Sequence, residues 1–270
     1  MTKPALLTLA LDEIAIEDER SFRHVGLYAD LKEILRRDAY RVRVLPEALA
    51  GRWDRALFLN LTYWGADGGG DVLDAKTVPA DVVAHMGWHH LSARAFGRDA
   101  PSADALLLGE AIASAFDVYL VGRLLGHSPD SSFLATQVPA IAEAAQAAGL
   151  SDEAFEAVLE DIARDPEKAF EDLRALLVDA TRELLACRSA DDAVLALEAF
   201  EKHRFGPLLH RYELSNWVLG TRANVAAPLA PDARVREVDA ALRDPAVVSI
   251  EWLTKHWVTP CLAGGSPLGV

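Results

Sequence analysis

Ala84-His85-Met86-Gly87-Trp88-His89-His90 places two histidines four residues apart, and Leu107-Leu108-Gly109-Glu110-Ala111-Ile112-Ala113-Ser114-Ala115-Phe116-Asp117 follows with a carboxylate twenty-one residues after the second of them. Both stretches read as helices. On a helix, side chains four apart share a face, with Cβ atoms about 5–6 Å from one another. His85 and His89 can therefore converge on one ion through ring nitrogens at about 2.0–2.1 Å. Glu110, from the second helix, would add an oxygen and complete a three-ligand cradle for a divalent metal. Glu110, Ser114 and Asp117 fall on one face of their helix. Asp117 can then receive the outer N–H of a ligand histidine and fix its tautomer. Asp81, one turn before His85, is a second candidate for that role, while His90 points about a quarter-turn away. The plain alternative is that His85 and His89 are polar members of a helix face and Glu110 is a surface charge.

Outward from this pair, the first third is mixed. Residues 5–16 suit a strand, with a helix left open by their Leu and Ala content. Residues 19–38 predict a helix with Phe22, Leu27, Leu31, Ile34 and Leu35 on one stripe. Tyr40–Leu45 alternates apolar residues with arginine, which suits an exposed or edge strand stopped by Pro46. Ala56–Trp64 predicts a further strand. Gly65–Asp71 reads as a mobile loop or lid beside the site, not a phosphate loop, because no lysine follows in the phosphate-binding arrangement and two aspartates flank the glycines.

From Pro79 onward the pattern is helical, with helices expected at 79–97, 103–126, 137–149, 152–164, 167–187, 190–202, 207–221 and 232–243. Pro79 suits a first helical position, Ser102 an N-cap, and Ser151 and Asp165-Pro166 two further starts. The fold class expected is α+β: a small N-terminal sheet with a long helix, then a predominantly helical body. Its divisions are a mixed lobe at 1–127 carrying the metal-site helices, a helical lobe at 128–258 and a flexible tail at 259–270.

The 270 residues are 51% hydrophobic and 25% charged, the profile of an ordinary soluble globular protein. A net charge of -14 argues against nucleic acid as partner, because nothing offsets phosphate repulsion. The apolar start at Ala5-Leu6-Leu7 soon meets Asp12 and Glu13, too early for a signal peptide or membrane span, so a cytoplasmic location without membrane attachment is expected. Cys187 and Cys261 are the only cysteines, which excludes a cysteine-based zinc site. Cys187 reads as a small core residue and Cys261 as part of the tail.

The histidine pair at i and i+4, preceded by a mixed segment, resembles the active-site helix of zincin metallopeptidases. Gly109-Glu110 through Asp117 resembles the third-ligand helix of the gluzincin branch, which includes thermolysin. The resemblance covers roughly residues 55–127 and rests on three or four residues. It implies zinc held by His85, His89 and Glu110, with Asp117 orienting a ligand histidine, and a peptide or small-molecule substrate. One departure is serious. The family pattern is His-Glu-x-x-His, and position 86 is methionine, which can neither take a proton from bound water nor pass it on.

Three readings follow. The chain keeps a zinc and hydrolyses a peptide or amide with a base from elsewhere, such as His90, His127, His210 or Glu213. Alternatively, two histidines and one carboxylate hold iron with open positions for oxygen chemistry. In the third, a zincin-like fold binds without catalysis. His210, Glu213 and Trp217 share a face by spacing, as do Tyr212 and Asn216, and His210 is a conceivable counterpart of the family's oxyanion-steadying histidine. His210 and Glu213 are thus the catalytic candidates.

Overall fold

The computed structural model describes residues 5–62, 71–97, 102–225 and 231–267. Alternation along Arg41-Val42-Arg43-Val44 turns both valines into the core and both arginines away from it. This is strand β3 (Arg41–Val44). It pairs antiparallel with β1 (Leu7–Ala10) and parallel with β4 (Val72–Leu73), so it is the middle strand of three. The edge-strand expectation is corrected: Arg43 donates its N–H to the Asp71 carbonyl and Leu45 to that of Leu73, both at 2.9 Å. β2 (Ala15–Glu17) and β5 (Thr77–Pro79) form a separate parallel pair. A 3₁₀ turn at Leu11–Glu13 divides the single element expected over 5–16. The helix expected over 19–38 is likewise a short turn, Glu19–Phe22, followed by α1 (Gly26–Arg37), which buries Tyr28, Leu31, Ile34 and Leu35.

The strand expected at Ala56–Trp64 is wrong. The segment forms helix α2 (Trp53–Thr62), and Tyr63 and Trp64 lie outside the described residues. A short apolar run has no decisive period. Here Ala56 is buried while Leu57 and Phe58 face outward. Asn60 of α2 substitutes for a neighbouring strand. Its side-chain oxygen accepts the Val72 N–H at 2.8 Å, and its amide donates to the Val72 carbonyl at 2.9 Å. Of the expected glycine loop, only Asp71 is among the described residues.

Beyond β5 the body is helical. α3 (Ala80–Phe96) is buried at its centre, and α4 (Ala103–Leu124) is buried on nearly every side. By length and composition α4 could cross a membrane, yet 83% of its most apolar window is covered by the protein itself. The expected caps form: Ser102 accepts the Ala105 N–H, Ser151 that of Ala154 and Asp165 that of Lys168. They start α4, α6 (Asp152–Arg164) and α7 (Pro166–Ala186), and α7 packs along α4. α5 (Ser132–Ala147) begins before the expected 137, where Asp18 accepts from the Ser131 hydroxyl and the Ser132 N–H. α8 (Ala190–Glu198), α9 (Leu214–Asn224) and α10 (Ala233–Leu242) follow.

A last helical run, 249–262, passes through a π-type turn at Thr254–Val258 and buries Trp257 and Cys261. Cys261 is therefore in the core, not in a tail beginning at 259. Cys187 caps the end of α7 and is only partly buried. Residues from both expected lobes enter one hydrophobic core that runs from Leu11 to Cys261. The architecture is α+β, with few short strands and a dominant helical body.

Two glycines set how closely the site helices approach their neighbours. A Cβ on Gly87 of α3 would lie 2.9 Å from the Leu31 Cβ of α1, and one on Gly109 of α4 would lie 2.5 Å from the Ser92 Oγ of α3. Gly87→Ala gains about 1 kcal/mol of helix propensity but forces Leu31 aside, a repacking that costs about 1–3 kcal/mol. Net destabilisation of about 1 kcal/mol is expected in urea unfolding. A variant more stable than the parent would show that the crossing has room to spare.

Candidate functional site

Asp81 in the first turn of α3 suits the positive end of the helix dipole. One and two turns further on, His85 and His89 point from the same face towards α4. The close crossing at Gly109 and Ser92 brings the next residue, Glu110, between the two rings. Glu110 Oε2 lies 3.0 Å from His89 Nε2, and Oε1 lies 3.6 Å from His85 Nε2. One donor atom from each of the three lies within 4.8 Å of the other two. The rings meet edge to face with centroids 4.6 Å apart. Side-chain exposures of 24%, 20% and 15% for His85, His89 and Glu110 leave the group partly buried and still open to solvent.

The outer nitrogen of each imidazole also meets a carboxylate. His85 Nδ1 faces Asp117 Oδ2 at 3.4 Å, as the spacing on α4 predicts. His89 Nδ1 faces Asp71 Oδ1 at 3.2 Å, and sequence reasoning missed this partner. Both histidines thus direct Nε2 at one shared carboxylate and Nδ1 at a separate one.

Charge follows from this geometry. Burial opposes a proton on His85, but Asp117 and Glu110 outweigh it and hold its pKa well above the ordinary histidine value. Burial likewise opposes charge on His89, and Glu110 and Asp71 still raise it to about 9. Glu110 is pulled far below the usual carboxylate range, against its own burial, by His89 and His85. Asp71 is lowered in the same way, against burial, by His89, His85 and the Tyr40 hydroxyl. Asp81 behaves differently: burial and the neighbouring Asp117 charge raise it to about 7.

The other expected residues fall elsewhere. The helix predicted at 207–221 is broken into a 3₁₀ segment, Gly206–Tyr212, and α9, with Glu213 in the left-handed region at φ 49° between them. His210, Glu213 and Trp217 therefore share no helical face. His210 and Glu213 are both exposed. The Glu213 carboxylate accepts from the Asn216 amide at 2.8 Å, and no described contact joins either residue to the histidine cluster. Burial pushes the phenol pKa of Tyr212, between them, up, with Arg211 opposing the shift and Asp117 adding to it.

His90 is buried against Asp38 at 2.6 Å, and His127 is exposed and stacks on His24. Neither histidine is part of the cluster. Trp88 packs edge-on to Phe116 in the core, as its place off the His85/His89 face predicts.

No family model matches the chain, and neither do any of the curated proteins or solved structures with which it was compared.

Proposed function

We propose that His85, His89 and Glu110 hold a divalent metal ion, zinc in the first instance, and that the protein is a metal-dependent hydrolase of zincin-like arrangement acting on a peptide or amide. One observation carries this reading: two Nε2 atoms converge on one carboxylate while each Nδ1 is held by another. Ligands about 2.0–2.2 Å from an ion at tetrahedral angles stand about 3.3–3.6 Å apart, and the three donor atoms here lie within 4.8 Å of one another, with His89 Nε2 3.0 Å from one Glu110 oxygen and His85 Nε2 3.6 Å from the other. Carboxylates on the outer nitrogens are the usual means of fixing the tautomer of ligating histidines. Surface histidines on a helix would need neither feature.

A bound zinc supplies Lewis acidity and lowers the pKa of a coordinated water towards 7. The chain's own residues set what can follow. Met86 is buried and offers no proton acceptor. With His210 and Glu213 away from the cluster, Asp81, one turn before His85 on α3 and raised to about 7 by burial and the Asp117 charge, is the carboxyl to which we assign proton transfer near neutral pH. The absence of the family's glutamate also keeps iron-dependent oxygen chemistry as a second reading, since two histidines and a carboxylate with open positions serve that reaction equally.

Metal analysis of protein purified without added metal separates these readings. Zinc at about one ion per chain, with amide-bond cleavage in a peptide panel, is the expected outcome. Iron with oxygen-dependent turnover would transfer the assignment to the second reading. Retained metal without turnover on any substrate leaves a binding protein. No retained metal, and no uptake of added zinc, would sink the proposal.

A further inference from the structure

The histidine nearest the sheet is held by more than its own helix. Asp71, immediately before β4, is fixed at four points, one being its own N–H donated to the Tyr40 hydroxyl at 3.4 Å. Its carbonyl accepts the Arg43 N–H at 2.9 Å, which ties it to β3. Its Oδ2 accepts the Tyr40 hydroxyl at 3.0 Å, and its Oδ1 faces His89 Nδ1 at 3.2 Å. Tyr40 in turn lies edge-on to the buried His90 ring of α3, with centroids 5.1 Å apart. A carboxylate with one oxygen already engaged cannot rotate freely, so the other oxygen keeps a fixed direction towards the imidazole.

We infer that Tyr40 and Asp71 are positioning residues for His89, the Tyr40 hydroxyl orienting the Asp71 carboxylate and Asp71 orienting the imidazole, so that the N-terminal sheet sets the geometry of a site carried on the helices. This rests on the metal-centre reading above and assigns it a support that the two ligand helices do not contain. Asp117 faces His85 Nδ1 from within α4, at 3.4 Å, with its other oxygen buried and without a hydrogen-bond partner among the described residues. The two histidines are therefore braced from different parts of the fold. The Asp71 brace is sensitive to the sheet, and the Asp117 brace is not.

Zinc and cobalt titrations of the full chain test this, with Asp71→Asn, Tyr40→Phe and Tyr28→Phe as variants and His89→Ala as reference. Loss of a partner to a ligating histidine weakens metal affinity by about 10–100-fold. Asp71→Asn is expected within that range and Tyr40→Phe at its lower end, about 10-fold. Both should shift the visible absorption of the cobalt-loaded protein, which reports ligand geometry and not fold stability. Tyr28→Phe removes a comparable hydroxyl bond, to Glu19 at 2.9 Å, and should leave affinity and spectrum unchanged.

Should Asp71→Asn not fold, Tyr40→Phe alone carries the test, because it deletes a single oxygen atom. Wild-type affinity and an unchanged cobalt spectrum in Tyr40→Phe and any folded Asp71→Asn, with metal still lost in His89→Ala, would overturn the inference and leave the metal centre standing. Failure of the wild-type protein to bind either ion would remove the metal reading and this inference with it.

Discussion

His89→Ala should abolish zinc retention through gel filtration, where the proposed metal site would leave the parent chain with about one ion. This is the expected result, and its size follows from where His89 stands. It is the proposed ligand with the closer approach to Glu110, at 3.0 Å, and it faces Asp71 on its other side. Removing an outer partner of a ligand costs about 10–100-fold in affinity, and removing the ligand itself must exceed that. With His89 gone, one imidazole and one carboxylate remain, as on many protein surfaces. His85→Ala should behave the same way, and Glu110→Gln should weaken binding while keeping the shape of the site. His127→Ala changes none of this, because His127 stacks on His24 outside the cluster.

Thermal melts provide a second readout. Ligand present at about 100 times its Kd stabilises the state that binds it by about 2.7 kcal/mol. Added zinc should therefore raise the Tm of the parent by several degrees and leave that of His89→Ala where it was. An unchanged metal content in His89→Ala would show that the ion, if any, is held elsewhere.

The legible part of this site was the part written in helical periods. His85 and His89 on α3, and Glu110 and Asp117 on α4, are related by intervals of four and seven, and helix geometry converts those intervals into shared faces without knowledge of the tertiary fold. The contact between the two faces needed a further condition, close approach of the helices. Gly109 supplies it opposite Ser92, and a lone glycine in a helix carries that message only once its neighbour is known. Asp71 was not legible at all. It reaches His89 because β3 and β4 pair in parallel, and no local pattern links position 71 to position 89.

The errors have local causes too. Ala56–Trp64 has the composition of a strand, and Asn60 satisfies the sheet edge with its side chain instead, freeing the backbone to be helical. The face shared by His210, Glu213 and Trp217 presumes one unbroken helix. The left-handed backbone at Glu213 ends it, and that is a conformation a non-glycine residue seldom adopts. At the fold level, the caps at Ser102, Ser151 and Asp165 were readable because each acts within three residues of itself. The wrong boundary at Cys261 shows the converse. Its burial depends on contacts of the last helical run with α1 and α3, elements more than 150 residues earlier in the sequence.

Asp239→Ala is expected to destabilise the protein by about 3–5 kcal/mol, the usual result of stripping one partner from a buried ion pair. Asp239 of α10 is 4% exposed and Arg174 of α7 only 1%. The two meet at 2.7 Å, and Arg182 and Arg243 add bonds to the same carboxylate at 2.6 and 3.0 Å. Arg243 also pairs with Asp179, and Arg182 and Arg236 each lie 3.8 Å from Asp104, so four arginines face three aspartates in one network. Without Asp239 the Arg174 guanidinium loses the partner that opposes the downward pull of burial on its pKa, and it stays buried and charged, since arginine is not deprotonated in proteins. Replacing both members, as in Arg174→Met with Asp239→Leu, removes the charge along with its partner and should recover much of the loss. Urea unfolding of the two single variants and the double variant measures the coupling.

The pH dependence has a definite sign. Burial opposes ionisation of Asp239, but Arg174, Arg243 and Arg182 outweigh it and hold its pKa below that of the unfolded chain, about 3.9. In that interval the unfolded chain binds one proton more than the folded one, so the stabilisation is complete above pH of about 4 and fades as pH falls through the folded value. The parent should lose at most about 1.4 kcal/mol per pH unit from this group there, and Asp239→Ala should have a shallower acid limb. Parallel acid limbs would mean that Asp239 titrates alike in both states. In that case the network would contribute packing to the α7–α10 contact, and its charge would contribute nothing to stability.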